Sequence, residues 1–126
     1  MGLNVSPTVL IVDDDADIGK MLCRFFESSG YMAMAADSGA MALQAIASRD
    51  VSVVLLDLGL PDMDGLEVLK KLKKMKPDLP VIMATGDNDE DKAHQAVELG
   101  AWDYVTKPID LEFLRNIVRL SLPPGA

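Results

Sequence analysis

"VVLLDLGLPDMDG", residues 53–65, runs four apolar residues straight into a carboxylate, Asp57. Over the next eight positions the chain passes Pro61, Asp62, Asp64 and Gly65. An unbroken apolar run of this kind, bounded by turn formers, reads as a strand buried on both faces; a half-buried strand would alternate. A charge can end such a strand only where the strand leaves the core.

Two more runs share this character: "TVLIV" (8–12) and "PVIMA" (80–84), beside the full "VSVVLL" (51–56). "YMAMA" (31–35) and "DYVT" (103–106) are weaker strand candidates. Helical spacing fills the intervals. Ile18, Met21, Leu22, Phe25 and Phe26 form one stripe, and Met41, Leu43 and Ile46 mark a second helix. Leu66, Leu69, Leu72 and Met75 mark a third, opened by Asp64 with Glu67 three residues on, a capping-box-like start. A fourth spans about 89–99 and stops at Gly100. Leu111, Leu114, Ile117 and Val118 make a fifth, capped by Asp110. Strand and helix thus alternate five times. Right-handed crossovers place helices on both faces of the sheet, so the expected class is α/β: an open, doubly wound sheet of five parallel strands with five helices.

The chain has 126 residues, enough for one domain with a core of its own. Apolar residues make up 49% and charged residues 25%, a globular balance. The net charge of −8 argues against nucleic acid or an anionic membrane as a direct partner of this domain. A single cysteine, Cys23, rules out an intrachain disulfide and fits a reducing, cytoplasmic setting, with the thiol as a small core group. No window approaches 18 continuous apolar residues, and no signal pattern opens the chain. "MGLNVS" matches short patterns for myristoylation and for glycosylation at Asn4, both common by chance. Residues 1–7 read as a loose start, 8–121 as the domain, and 122–126, with Pro-Pro-Gly, as a tail or the start of a linker.

In an open parallel sheet, sites form outside the carboxyl ends of the strands. Here the first strand ends in Asp13-Asp14-Asp15, the third in Asp57, the fourth in Thr85 and the fifth in Thr106-Lys107-Pro108. Neighbouring strands lie about 5 Å apart, so Asp13, Asp14 and Asp57 should crowd one volume. Two like charges ~4 Å apart repel by roughly 4 kcal/mol at an effective dielectric of ~20. Either a proton is retained or a cation is bound. A few carboxylates with room for water suit a hard divalent ion, Mg²⁺ better than Ca²⁺. Lys107 can reach the same rim. Each residue also has an ordinary role: Asp15 reads first as a helix cap, Thr85 as a turn residue, Lys107 as a solvated side chain. Joint placement at successive strand ends is what favours a site.

With these motifs in order, the chain resembles the receiver domain of bacterial two-component response regulators. "VLIVDDDADI" is similar to the first-strand acidic motif and "LLDLGLPDMDG" to the phospho-acceptor strand and its turn. "PVIMATG" is similar to the strand bearing a switch Thr, and "GAWDYVTKPID" to the closing Lys-Pro motif. The resemblance covers roughly residues 8–120. It implies the flavodoxin-like strand order 2-1-3-4-5, for which a receiver is itself a standard example. It implies a phosphorylation-dependent switch, not a classical enzyme: Asp57 takes a phosphoryl group from the phosphohistidine of a sensor kinase or phosphotransfer protein, and slow autodephosphorylation follows. Asp13 and Asp14, Asp14 more directly, hold Mg²⁺ or Mn²⁺ with Asp57 and the Gly59 carbonyl. Thr85 hydrogen-bonds the acyl phosphate, Lys107 pairs with a phosphate oxygen, and the Lys107–Pro108 bond is cis. Tyr104 becomes an aromatic switch that follows Thr85. The chemistry suits these groups, because phosphoryl transfer needs positioning and charge neutralisation above all.

Gly59 and Asp87 sit two residues past Asp57 and Thr85, where the family varies, and flank the path of a hydrolytic water. A small Gly59 and an acidic Asp87 give the expectation of moderate self-dephosphorylation. Trp102 reads as a surface aromatic, and the lone His94 as solvent-facing. A haloacid-dehalogenase-type hydrolase would need Asp-x-Asp-x-Thr, but Asp17 stands where the Thr should be. The acidic "DDDADI" would repel a flavin phosphate, and no phosphate-binding GxxxxGK[ST] loop occurs. A purely structural pseudo-receiver remains the third rival, disfavoured by the intact set of acceptor, acids, Thr and Lys. The face formed by the fourth helix, fifth strand and fifth helix, with Lys92, Asp103, Arg115 and Arg119, is expected to serve homodimerisation or output: the chain reads either as a stand-alone regulator or as an excised piece whose output domain lies beyond Ala126.

Overall fold

β1 (Thr8–Val12), α1 (Ala16–Ser28), β2 (Met32–Ala36), α2 (Gly39–Ser48), β3 (Val53–Asp57), α3 (Gly65–Met75), β4 (Val81–Thr85), α4 (Glu90–Glu98), β5 (Asp103–Thr106) and α5 (Leu111–Ser121) follow one another along the chain. The structure, a computed structural model, describes residues 6–86 and 90–123. The strands form one parallel sheet in the order β2-β1-β3-β4-β5. This is the expected doubly wound α/β architecture.

The three most apolar runs became the three inner strands. Val9–Val12, Val53–Leu56 and Val81–Ala84 are at most 2% exposed. Alternate residues of each serve opposite layers. Val9, Ile11, Val53, Leu55, Ile82 and Ala84 pack with Leu22 and Phe26 of α1 and with Leu114, Ile117 and Val118 of α5. Leu10, Val12, Val54, Leu56, Val81 and Met83 pack with Ala42 and Ile46 of α2, with Val68, Leu69 and Leu72 of α3, and with Ala96 of α4. Each fully buried Leu, Ile or Phe contributes about 1.5–3 kcal/mol relative to exposure. The weaker runs, β2 and β5, lie at the two edges, where full burial is not required.

Boundaries shift slightly from the sequence pattern. β3 includes Asp57 and leaves out Val51 and Ser52; Ser52 instead closes a contact to β1, its Oγ accepting from the Thr8 N–H at 3.0 Å. β4 begins after Pro80, which has no N–H to give the ladder, and takes in Thr85. β2 begins at Met32 because the Tyr31 N–H still serves α1, donating to the Phe26 carbonyl at 3.0 Å. The centre of α3's buried face is Val68, Leu69 and Leu72, with Met75 exposed.

Local chemistry explains the helix starts. The side chains of Asp15, Ser38, Asp64 and Asp110 accept hydrogen bonds from N–H groups of the first turns of α1, α2, α3 and α5. Each substitutes for the missing intrahelical partner of a first-turn donor. Asp15 is thus a cap, as its position after β1 suggested.

Candidate functional site

Parallel register gathers the site. Val12 lies opposite Leu56, and Asp57 opposite Ala84, so the residues that follow β1 and end β3 stand side by side. Each strand is held one step past its end: the Asp13 N–H donates to the Ala36 carbonyl at 3.1 Å, the Leu58 N–H to Ala84 at 3.1 Å, and the Lys107 N–H to Thr85 at 2.7 Å. Asp13, Asp57 and Lys107 come to the carboxyl edge from three different strands.

Carboxylate oxygens of Asp13, Asp14 and Asp57 lie within 4.8 Å of one another. Asp13 and Asp57 are each 6% exposed, whereas Asp14 faces solvent. The Lys107 ammonium donates to Asp57 Oδ2 at 2.9 Å and stands 3.7 Å from Asp13 Oδ2. Asp57 Oδ1 accepts the Gly59 N–H at 3.0 Å, and Asp13 Oδ1 accepts the Asp15 N–H at 2.9 Å. One ammonium therefore faces three carboxylates.

The imbalance shows in the protonation equilibria. Burial pushes the Asp13 carboxyl above its ordinary value; the Asp15 N–H and Lys107 oppose this, and the charges of Asp57 and Asp14 add to it. For Lys107, burial disfavours the charge, but the hydrogen bond and charge of Asp57, with Asp13 and Asp14 behind, outweigh it and raise the ammonium above its ordinary value. The donor set consists of hard oxygens with a residual negative charge and one solvent-facing member, which fits a small divalent cation that keeps part of its water shell.

The remaining expected residues lie around this cluster. Thr85 is 1% exposed and donates through Oγ1 to the Val105 carbonyl at 3.4 Å. A cavity of about 240 Å³ is lined by Thr85, Gly86, Glu90, Tyr104 and Thr106. Tyr104 is half-buried, its ring edge-on to that of exposed His94 at 6.0 Å. The Lys107–Pro108 bond is cis. Gly59 is exposed, and among the described residues only Asp57 Oδ1, at 3.8 Å, stands near where a β-carbon would lie. Asp87 lies outside the described residues. Trp102 is exposed, and Cys23 is half-buried against the α1/α5 side of the core.

Two features escaped the sequence pattern. Asp62 reaches α2, accepting from the Gly39 N–H at 2.9 Å and the Ala40 N–H at 3.1 Å. An apolar cavity of about 290 Å³, lined by Ile18, Met21, Leu22, Lys107, Pro108 and Ile109, opens beside the lysine of the site. Both join segments distant in sequence, and neither carries a local signature.

The model of the response regulator receiver domain matches residues 9–119. Regulatory protein AtoC of Escherichia coli is 38% identical over 114 residues, covering 90% of this chain and 25% of that protein. Sporulation initiation phosphotransferase F of Bacillus subtilis is 36% identical over 115 residues, covering 91% of this chain and 93% of that protein. The crystal structure of a CheY-like response regulator receiver domain protein from Methanospirillum hungatei superposes with a TM-score of 0.90 at 30% identity, over 96% of this chain and 97% of the other. Against AtoC and the transcriptional regulators NtrC and DctD, this chain spans only about a quarter of the relative's length, 22–25%.

Proposed function

The chain belongs to the response regulator receiver domain family, and from that membership we propose that Asp57 is its phospho-acceptor and that Asp13, Asp14, Asp57 and the Gly59 carbonyl hold the divalent cation. Receiver domains are phosphorylated on aspartate in two-component signalling and interact with histidine kinases or phosphotransfer proteins. The observation that carries the residue assignment is the 2.9 Å contact of Lys107 with a buried carboxylate that two further acids crowd.

An Asp57 carboxylate oxygen forms the new P–O bond as the donor's P–N bond breaks; the bonding pair stays on the imidazole nitrogen, which takes up a proton. Mg²⁺ or Mn²⁺, when bound, supplies positive charge against the phosphoryl oxygens. Lys107 would supply further positive charge, and it orients the carboxylate it already holds. Gly59, by its N–H, fixes the second carboxylate oxygen. The apolar cavity by Pro108 and Ile109 gives a donor protein a greasy surface next to the charged rim. Phosphorylation adds about two negative charges to the site. Thr85 then has a stronger acceptor than the Val105 carbonyl, and its turn toward the phosphate opens the adjoining cavity to Tyr104.

Those movements bear on α4, β5 and α5; α4 exposes Val97, α5 exposes Phe113 and Leu120, and Trp102 is exposed just before β5. We assign that face to homodimerisation or to an output domain. The open surroundings of Gly59 admit a hydrolytic water and support slow autodephosphorylation. The test is incubation of the chain with labelled acetyl phosphate and Mg²⁺. Wild type should acquire a base-labile acyl phosphate that chelation prevents. Asp57→Asn should acquire none, and retained labelling in that variant overturns the assignment.

A further inference from the structure

The loop between β3 and α3 carries Gly59, and its hold on the rest of the molecule is uneven. At its start the Leu58 N–H is tied to Ala84. At its end Asp64 caps α3. Between these, Leu60 and Met63 rest against the core, and Asp62 is the polar link to another element.

That link completes the start of α2. A helix leaves its first N–H groups without intrahelical partners. Ser38 Oγ takes the Met41 N–H at 3.2 Å, and the Ser38 carbonyl takes that of Ala42 at 3.1 Å. The N–H groups of Gly39 and Ala40 go to the two carboxylate oxygens of Asp62, one each. These two bonds hold the Asp62 carboxyl below its ordinary value, as expected of an anion at a helix start. The contact is close: a β-carbon on Gly39 would lie 2.8 Å from Val68 Cγ2 and 2.9 Å from Met63 Sδ. The loop is thus drawn onto α2 where α2 has no side chain to hold it off.

We propose that Asp62 is a positioning residue: by capping α2 from within the Leu58–Asp64 loop, it sets the place of the Gly59 carbonyl and so the cation affinity of the Asp13–Asp14–Asp57 cluster. The proposal rests on the reading that this cluster binds a divalent cation. Asp62 acts through the loop, three residues from Gly59, and not by ligation.

The experiment follows backbone amides by NMR in the whole chain, as wild type, Asp62→Ala, Asp62→Asn, Ser38→Ala and Asp57→Asn. Without metal, Asp62→Ala should speed hydrogen exchange at Gly39 and Ala40. Titration with Mg²⁺ alone, read at the amides of Asp57 and Gly59, should show half-saturation at about tenfold higher concentration, the low end of what losing a supporting partner costs a metal site. Asp62→Asn keeps one acceptor oxygen and should fall between. If Asp62→Ala does not fold, that variant carries the test. Ser38→Ala loosens α2 without touching the loop and should leave the half-saturation unchanged.

An unchanged half-saturation in both Asp62 variants overturns the proposal. So does an equal shift in Ser38→Ala, which would trace the effect to α2 alone. If wild type shows no saturable Mg²⁺ response, or Asp57→Asn responds identically, the cation site itself is refuted and the proposal falls with it, by a visibly different result.

Discussion

Asp13 carries its carboxyl above the ordinary value of 3.8, first because it is buried, and the sign of its effect on stability follows. The native state keeps this proton to higher pH than the unfolded chain does. The resulting stabilisation is complete below about 3.8 and is lost as pH rises through the raised native value. As pH rises, the metal-free protein therefore loses the stabilisation that the protonated Asp13 gives. Replacing it with Asn retains an oxygen for the Asp15 N–H and removes the charge. Asp13→Asn, which carries no charge at any pH, should flatten the fall of metal-free stability with rising pH. It should also weaken the stabilisation that Mg²⁺ confers. Thermal melts with and without Mg²⁺, from pH 4 to neutral (~7), would check both effects. Thr85→Ala tests a different link. It should still accept phosphate at Asp57, yet the amide and ring signals of Tyr104 and His94 should no longer shift on phosphorylation.

At the scale of elements, the helices are anchored very unequally. α3 buries Val68, Leu69 and Leu72, and α5 buries Leu114, Ile117 and Val118, whereas α4 buries only Ala93 and Ala96 among its described residues. Two methyl groups bury far less apolar surface than three branched side chains. Local opening should follow that difference, with α4 amides exchanging well before those of α3 and α5. Hydrogen-exchange mass spectrometry on the unphosphorylated chain reads this directly; equal protection would refute it. The weak anchor adjoins the cavity by Thr85 and Tyr104, so the helix that can move lies where the phosphate would ask for movement. α3 shows the opposite design. A β-carbon on Gly65 would come within 2.7 Å of the Leu58 α-carbon and 3.0 Å of its carbonyl oxygen, both backbone atoms. Gly65→Ala should therefore push the loop off α3 and cost roughly 1–3 kcal/mol in unfolding free energy, as overpacking commonly does. Asp110→Ala, an ordinary cap loss at α5, should cost ~1 kcal/mol without affecting Mg²⁺.

Over the whole molecule, charge is the organising variable. A chain of net charge −8 collects Asp13, Asp14 and Asp57 at one edge of its sheet and meets them with a single lysine. Any ligand that neutralises this edge and binds only the native state stabilises the fold by mass action. Mg²⁺ at a hundred times its dissociation constant should add about 2.7 kcal/mol to the unfolding free energy. Denaturation in urea at fixed pH, with Mg²⁺ against a monovalent salt of equal ionic strength, separates site binding from screening. Among the described residues no helix is long and apolar enough to cross a membrane.

Apolar runs by themselves pointed to the α/β class, and the structure places the three greasiest of them inside the sheet. Val9–Val12, Val53–Leu56 and Val81–Ala84 are greasy throughout because both their faces are covered, and "MAMAA" and "DYVT" are mixed because edge strands need not be. Asp13, Asp14, Asp57, Thr85 and Lys107 were legible as a candidate cluster because all stand at strand ends, and strand ends are local in sequence. The tertiary structure alone decided what those residues touch. Parallel register, which depends on long-range pairing, chose which lysine meets which carboxylate. Asp62 looks like any turn aspartate along the chain, and only the fold brings its two oxygens to the two open donors of α2. Local chemistry writes elements and their ends into a sequence; contacts between distant segments arise only when the elements pack, so no short pattern announces them.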